Sequence, residues 1–151
     1  MRFMKTALAT TALLAATAGL AAPPVTVYKS PSCGCCGEWI RYLERSGFQV
    51  KAQDVHPEEL DRIKRRLQVP ERHGSCHTAV VDGYVVEGHV PVSAIRKLLA
   101  ERPKVVGVSV PSMPPGSPGM EGPNPQPFTA FAFDAQGRTT VLESYRPPYR
   151  W

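Results

Sequence analysis

The sequence predicts a single α/β domain built on a mixed sheet with helices on both faces. Two patterns carry this expectation. Apolar runs of strand length alternate with segments whose apolar residues recur at helical spacing, in the order strand, helix, strand, helix. An Asp82-Gly83 pair then separates two short apolar runs, a strong hairpin signal that sets an antiparallel pair beside the alternating units. The chain has 151 residues, room for one domain of ordinary size and hardly for two.

Val25 to Tyr28 reads as a buried strand that ends at Lys29-Ser30-Pro31. A helix follows from about Cys35 to Arg45, with Trp39, Ile40 and Leu43 on one face and Gly47 as its stop. Phe48 to Val55 reads as a second strand, with Phe48, Val50 and Ala52 on one side. Pro57, followed by Glu58 and Glu59, opens a second helix, because proline suits the first helical position and carboxylates suit the positive helix end. Its inward residues are Leu60, Ile63 and Leu67, and Arg62, Lys64, Arg65 and Arg66 form a solvated face. Thr78 to Val81 and Tyr84 to Glu87 make the hairpin, and Pro91 opens a third helix with Val92, Ile95, Leu98 and Leu99 inward. This order is that of the thioredoxin-like plan, which order alone does not separate from other small α/β folds. Beyond it lie a Pro/Gly-rich loop (Pro111 to Pro127) and a C-terminal hairpin extension pairing Thr129 to Phe133 with Thr139 to Glu143.

Composition narrows the class further. Hydrophobic residues at 42% and charged residues at 21% exclude wholesale disorder and a multi-span membrane protein. Residues 1–21 begin with Arg2 and Lys5, continue as an uncharged Ala/Leu/Thr run and end at Gly19-Leu20-Ala21. That is the layout of a secretory signal peptide, and its run is short of the roughly 20 apolar residues of a membrane span. Pro23 disfavours cleavage after Ala22, so the mature domain is expected to be 22–151, periplasmic and free of the membrane. Without Arg2 and Lys5 the formal charge falls from +5 to +3, which makes no case for nucleic acid. Export also places the cysteines outside the reducing cytosol.

The chemistry concentrates at Ser32-Cys33-Gly34-Cys35-Cys36-Gly37, between the first strand and the first helix. Cys33 and Cys36 have the C-x-x-C spacing of a redox pair, at a helix N-terminus where free amides and the helix dipole stabilise thiolate. Thiolate also binds soft metals, and Cys35 adds a third sulfur that a simple exchange site does not need. Cys76 precedes the third strand in Gly74-Ser75-Cys76-His77-Thr78. In the thioredoxin-like plan this loop faces the C-x-x-C turn and usually carries a cis-proline; here a sulfur and an imidazole stand there. The plan therefore brings Cys33, Cys36 and Cys76 together, with Cα separations below about 7 Å for any bridgeable pair. His77 reads equally as a ligand and as a strand-end histidine. His56 reads as a helix-start residue, and neither it nor His73 nor His89 receives a role.

Only two methionines remain after the leader, Met113 and Met120, both in the loop Met113-Pro114-Pro115-Gly116-Ser117-Pro118-Gly119-Met120. Methionine ordinarily fills cores, and this loop is the least core-like part of the chain. A thioether needs no deprotonation, and with thiolates it selects Cu(I) over hard cations. The prolines limit the entropy lost when the loop closes over a site.

Tyr28-Lys29-Ser30-Pro31-Ser32-Cys33-Gly34-Cys35-Cys36-Gly37, Ser75-Cys76-His77-Thr78-Ala79, Val86-Glu87-Gly88-His89-Val90-Pro91 and Gly116-Ser117-Pro118-Gly119-Met120-Glu121-Gly122 together give the chain a specific likeness. Over roughly residues 25 to 133 it resembles the CopG-type periplasmic copper-resistance proteins, a thioredoxin-like domain-of-unknown-function family. The resemblance implies a Cu(I) site built from the cysteine cluster and nearby soft ligands, and a role in copper redox or handling. It implies Cys33, Cys35, Cys36 and Cys76 as metal ligands, with Met120, Met113 and His77 beside them, and periplasmic copper-handling or efflux proteins as partners.

Two other readings stay open at this level. Cys33 and Cys36 could be the catalytic pair of a thiol–disulfide oxidoreductase, although Cys35, Cys76 and the missing proline argue against it. Four thiolates also suffice for structural zinc, a reading that leaves the methionine loop without a purpose. Four thiols and two thioethers exceed what one Cu(I) needs, which favours a polynuclear copper site. The intact mass of protein from a periplasmic extract is expected to match a chain beginning at Ala22; a full-length chain in the membrane fraction overturns the leader assignment.

Overall fold

The structure is a computed structural model that describes residues 22–151, so the expected signal peptide lies outside the described residues. β1 (Val25–Lys29) leads through α1 (Gly34–Arg45) to β2 (Val50–Asp54), which pairs with β1 in parallel. α2 (Pro57–Arg66) and a single 3-10 turn (Glu71–His73) then return the chain to the other side of β1. There β3 (His77–Val81) pairs antiparallel with β1 and with β4 (Tyr84–Glu87). Asp82 and Gly83 both have positive φ, the backbone that a tight hairpin between right-twisted strands requires. α3 (Val92–Glu101) crosses to β5 (Gly107–Ser109), parallel to β4. β6 (Phe128–Phe133) and β7 (Thr139–Tyr145) complete one seven-stranded sheet in the order β2-β1-β3-β4-β5-β6-β7. The thioredoxin-like plan is present, widened by three C-terminal strands.

Strand alternation sorts the two faces. Val25 and Val27 of β1 share a side with Ala79 and Val81 of β3, Val86 of β4 and Val108 of β5. Trp39, Ile40 and Leu43 of α1 and Ala94, Ile95 and Leu98 of α3 pack onto that side and make the main core. The opposite face is covered by α2, which buries Leu60 and Ile63, and by the 3-10 turn. β2 differs from the one-sided strand expected. It is an edge strand with Ala52 exposed, and Phe48, which is buried, lies outside it. The short β5, pinned by Gly107 against the backbone of Val85, has no apolar alternation long enough to announce it.

His73 lies on the second face, 3% exposed, its ring stacked at 5.4 Å on Phe133 and its Nδ1 2.6 Å from Ser109 Oγ. Burial lowers its pKa, and the neighbouring Arg72 adds to the effect. Below the ordinary histidine pKa of about 6.5 the unfolded chain therefore binds a proton that the folded protein resists. Stability is fully present above that pH and is lost as pH falls towards the depressed folded value. Urea unfolding of metal-free protein is expected to give a lower midpoint at pH 5.5 than at pH 7.5. A His73→Leu variant should narrow that difference, and an unchanged difference would remove His73 from the account.

Candidate metal centre

The antiparallel register of β1 and β3 sets Lys29 opposite His77. The turn after β1 and the loop before β3 therefore lie side by side at one end of the sheet. Cys33 is the N-cap of α1, and its Sγ accepts from the Cys36 amide at 3.3 Å. Cys35 and Cys36 follow in the first helical turn, which contains no acidic residue to oppose thiolate charge. Cys33 and Cys36 are joined as a disulfide with a Cα separation of 5.4 Å, and Cys35 and Cys76 are free thiols. Cys35 Sγ lies 3.5 Å from Cys33 Sγ and 3.9 Å from Cys76 Sγ. All four sulfurs fall within 4.8 Å of one another.

Cys76 belongs to a second group as well, with His77 and His89. Its Sγ is 3.4 Å from His77 Nδ1 and 3.2 Å from His89 Nε2. His89 Nδ1 lies 2.8 Å from the Pro118 carbonyl oxygen, which can only accept. That contact assigns the proton to Nδ1 and leaves the Nε2 lone pair facing Cys76, the arrangement of a ligating imidazole held from behind. His77 is fully buried, its ring 4.4 Å from Trp39 and its Nε2 without a hydrogen-bond partner. Burial drives its pKa well below the ordinary value, reinforced by His89 and Lys64; burial also lowers that of His89. Both rings are therefore neutral at pH 7. Burial, then the adjacent Cys35, pushes the Cys76 thiol up to about 12, so a metal arriving at neutral pH must displace its proton.

The loop from Pro111 to Pro127 is better packed than its composition suggests. Ser112 is tied to the Cys76 side, its amide donating to the Gly74 carbonyl at 3.3 Å and its carbonyl accepting from Ser75 Oγ at 2.5 Å. Gly119, at φ +84°, lies against the first turn of α1, where a Cβ would come within 2.9 Å of the Cys35 carbonyl and 2.8 Å of the Trp39 amide. Gly116, Ser117 and Pro118 are buried, and Trp151 Nε1 donates to the Gly116 carbonyl at 2.8 Å. The loop thus spans both halves of the sulfur cluster. Met113 stands on the surface at 46% exposure and Met120 is half-buried, next to Gly119.

Sequence reasoning left His89 without a role. Its signal was present in Gly88-His89-Val90-Pro91, where a histidine follows a strand that ends beside the cysteines, but only strand pairing reveals that proximity. His56 is the N-cap of α2, and His73 lies on the other face of the sheet, stacked on Phe133.

Strand, cysteine-bearing helix start and facing Cys-His strand define a thioredoxin-like protein with a sulfur-rich site in place of a peptide-clasping proline. Comparison with known proteins narrows this. Residues 73–120 match a family described as "Protein of unknown function, DUF411". Two solved structures, "Copper resistance protein copG- Form 1" and "Copper resistance protein copG- Form 2", are similar at 42% and 43% identity with TM-scores of 0.77 and 0.76. Each match covers 83% of this chain and 99% of the other. No curated protein matches. The chain belongs to the CopG copper resistance protein family.

Gly119→Ala is expected to lift the loop off α1, because alanine meets both an unfavourable φ and two backbone atoms. The checks are a lower thermal midpoint and faster alkylation of Cys35; a variant identical to the parent in both removes the loop from the site.

Proposed function

We propose that this protein binds Cu(I) through Cys33, Cys35, Cys36 and Cys76 in the periplasm, as part of copper resistance. The observation that carries the reading is the convergence of four sulfurs within 4.8 Å of one another. Reduction of the Cys33–Cys36 bond supplies the remaining two thiolates; thiolates bind both Cu(I) and zinc well, and a thioether beside them favours Cu(I). His77 and His89 approach Cys76, and the loop carrying Met120 and Met113 packs against the Cys35 and Cys76 segments, so its thioethers are proposed as further soft donors. More donors than one Cu(I) requires support a polynuclear site. The names of the related structures support a copper role.

The Cys33–Cys36 disulfide favours a second reading, redox conversion at the same site. Two Cu(I) ions, losing one electron each, and two protons would convert that disulfide into two thiols and leave two Cu(II). The reverse would oxidise the thiols as it reduces the metal. As a thiol–disulfide exchange enzyme acting on peptides this chain would lack the clasping proline and would have Cys35 and Cys76 crowded beside the pair.

Anaerobic titration of reduced protein with Cu(I) against a competing chelator, with zinc in parallel, tests the reading. Cys76→Ser should weaken both metals, since it removes a thiolate common to both. Met113→Leu with Met120→Leu keeps bulk and removes the thioethers. It should lower Cu(I) affinity or copper count while zinc binding and thermal stability stay near the parent. Parent-like Cu(I) binding by the double variant would remove the thioethers from the site, and absence of Cu(I) binding by the parent, with robust reduction of insulin disulfides, would replace the copper site with the exchange enzyme.

A further inference from the structure

Glu87 is an acidic residue in an otherwise apolar strand. It is fully buried on the face of the sheet opposite α1, directly across from Thr78 in the β3–β4 register. A buried carboxylate is costly unless each lone pair is met, and here the partners come from three separate segments. Lys64 of α2 forms an ion pair with Oε1 and also donates to Thr78 Oγ1 at 2.9 Å. Thr78 Oγ1 donates to Oε2 at 2.6 Å. The remaining donor is the backbone amide of Ser75, 2.7 Å from Oε1.

Ser75 immediately precedes Cys76, and a single peptide unit transmits its position to the thiol. The same turn is held from outside by Ser75 Oγ on the Ser112 carbonyl and by Gly88, where a Cβ would come within 2.7 Å of the Ser75 side chain. The carboxylate is the one charged group among these restraints, and charge-assisted hydrogen bonds are shorter and stronger than neutral ones. Its grip reaches through the sheet: the acid lies on the α2 face, while the sulfur it steadies serves the cluster at the α1 start.

We infer that Glu87, held by Lys64, is a positioning residue for the copper site: its carboxylate grips the Ser75 amide and fixes Cys76 Sγ between Cys35 and His89. The inference rests on the proposed Cu(I) function for its consequence in binding, and on geometry alone for its consequence in the metal-free protein. Groups behind a metal ligand commonly change affinity by about 10–100-fold when removed, and the same range is expected here.

The test replaces the pair in two ways that both avoid a stranded buried charge. Lys64→Met with Glu87→Gln keeps a carbonyl oxygen for the Ser75 amide; Lys64→Met with Glu87→Leu fills the same space and offers none. Apolar replacement of a buried ion pair is often neutral or stabilising, so the leucine pair is a reasonable folded protein. Cu(I) affinity is read by chelator competition. Alkylation of Cys76 in reduced, metal-free protein is read by peptide mass spectrometry, and thermal midpoints are recorded for all. The expected result is that the glutamine pair stays within about threefold of the parent, while the leucine pair binds Cu(I) about 10–100-fold more weakly. Cys76 in the leucine pair should also alkylate several-fold faster at a similar thermal midpoint.

Parent-like affinity and alkylation in the leucine pair would overturn the inference, as would equal losses in both pairs or losses that follow the thermal midpoint. If the leucine pair does not fold, the glutamine pair decides: a large change in Cys76 alkylation there rejects the grip, and parent-like alkylation sustains it. Absence of Cu(I) binding by the parent defeats the copper function, and the alkylation rates still judge the positioning role.

Discussion

The pairing of Lys29 with His77 decides where the sulfurs meet, because it aligns the end of one strand with the start of another 48 positions later. Neither segment could assemble the site alone. The helix start offers three cysteines in one turn, two of them joined as a disulfide and the third a free thiol. The β3 loop offers one thiol whose own pKa is high. Antiparallel pairing supplies the contact at a distance where a shared ion can displace that proton. The same pairing carries His77 under Trp39 and lets β4 return His89 to the same end of the sheet.

Much of the fold could be read from the chain. Asp82-Gly83 specified its hairpin because two successive positive-φ positions are chemically distinctive, and Pro57 and Pro91 marked helix starts because proline suits few other places. Short elements were harder. β5 has three residues, one a glycine, and its place is set by packing against β4 rather than by periodicity. β2 misled in a different way. Its alternating pattern implied a half-buried strand, whereas an edge position leaves Ala52 in solvent and transfers burial to Phe48 just outside it.

The cysteines were legible because thiol spacing at a helix start is rare and chemically narrow. His89 was not, since its significance comes from two long-range contacts, Cys76 on one nitrogen and Pro118 on the other. Met113 and Met120 stood out by composition, yet composition could not reveal that the surrounding loop is tethered to both cysteine segments. Nor could it reveal that the C-terminal residues take part, with Trp151 donating to the Gly116 carbonyl and Tyr149 to the Gln126 carbonyl of that loop. Glu87 illustrates the general difficulty: a carboxylate in an apolar strand signals a buried partner, but the partner's identity depends on how α2 lies across the sheet.

β3 has one further consequence, for how the protein can be instrumented. Its first residue follows Cys76, and its far end opens into the exposed Asp82-Gly83 turn, five strand residues away. At about 3.4 Å per residue Asp82, six positions on, stands roughly 20 Å from Cys76 along a ladder paired on both sides. A chromophore carried there would share the frame of the cysteines without touching them. The strand then serves as a built-in ruler, short enough for energy transfer to a label on Cys76 and stiff enough to keep the distance constant.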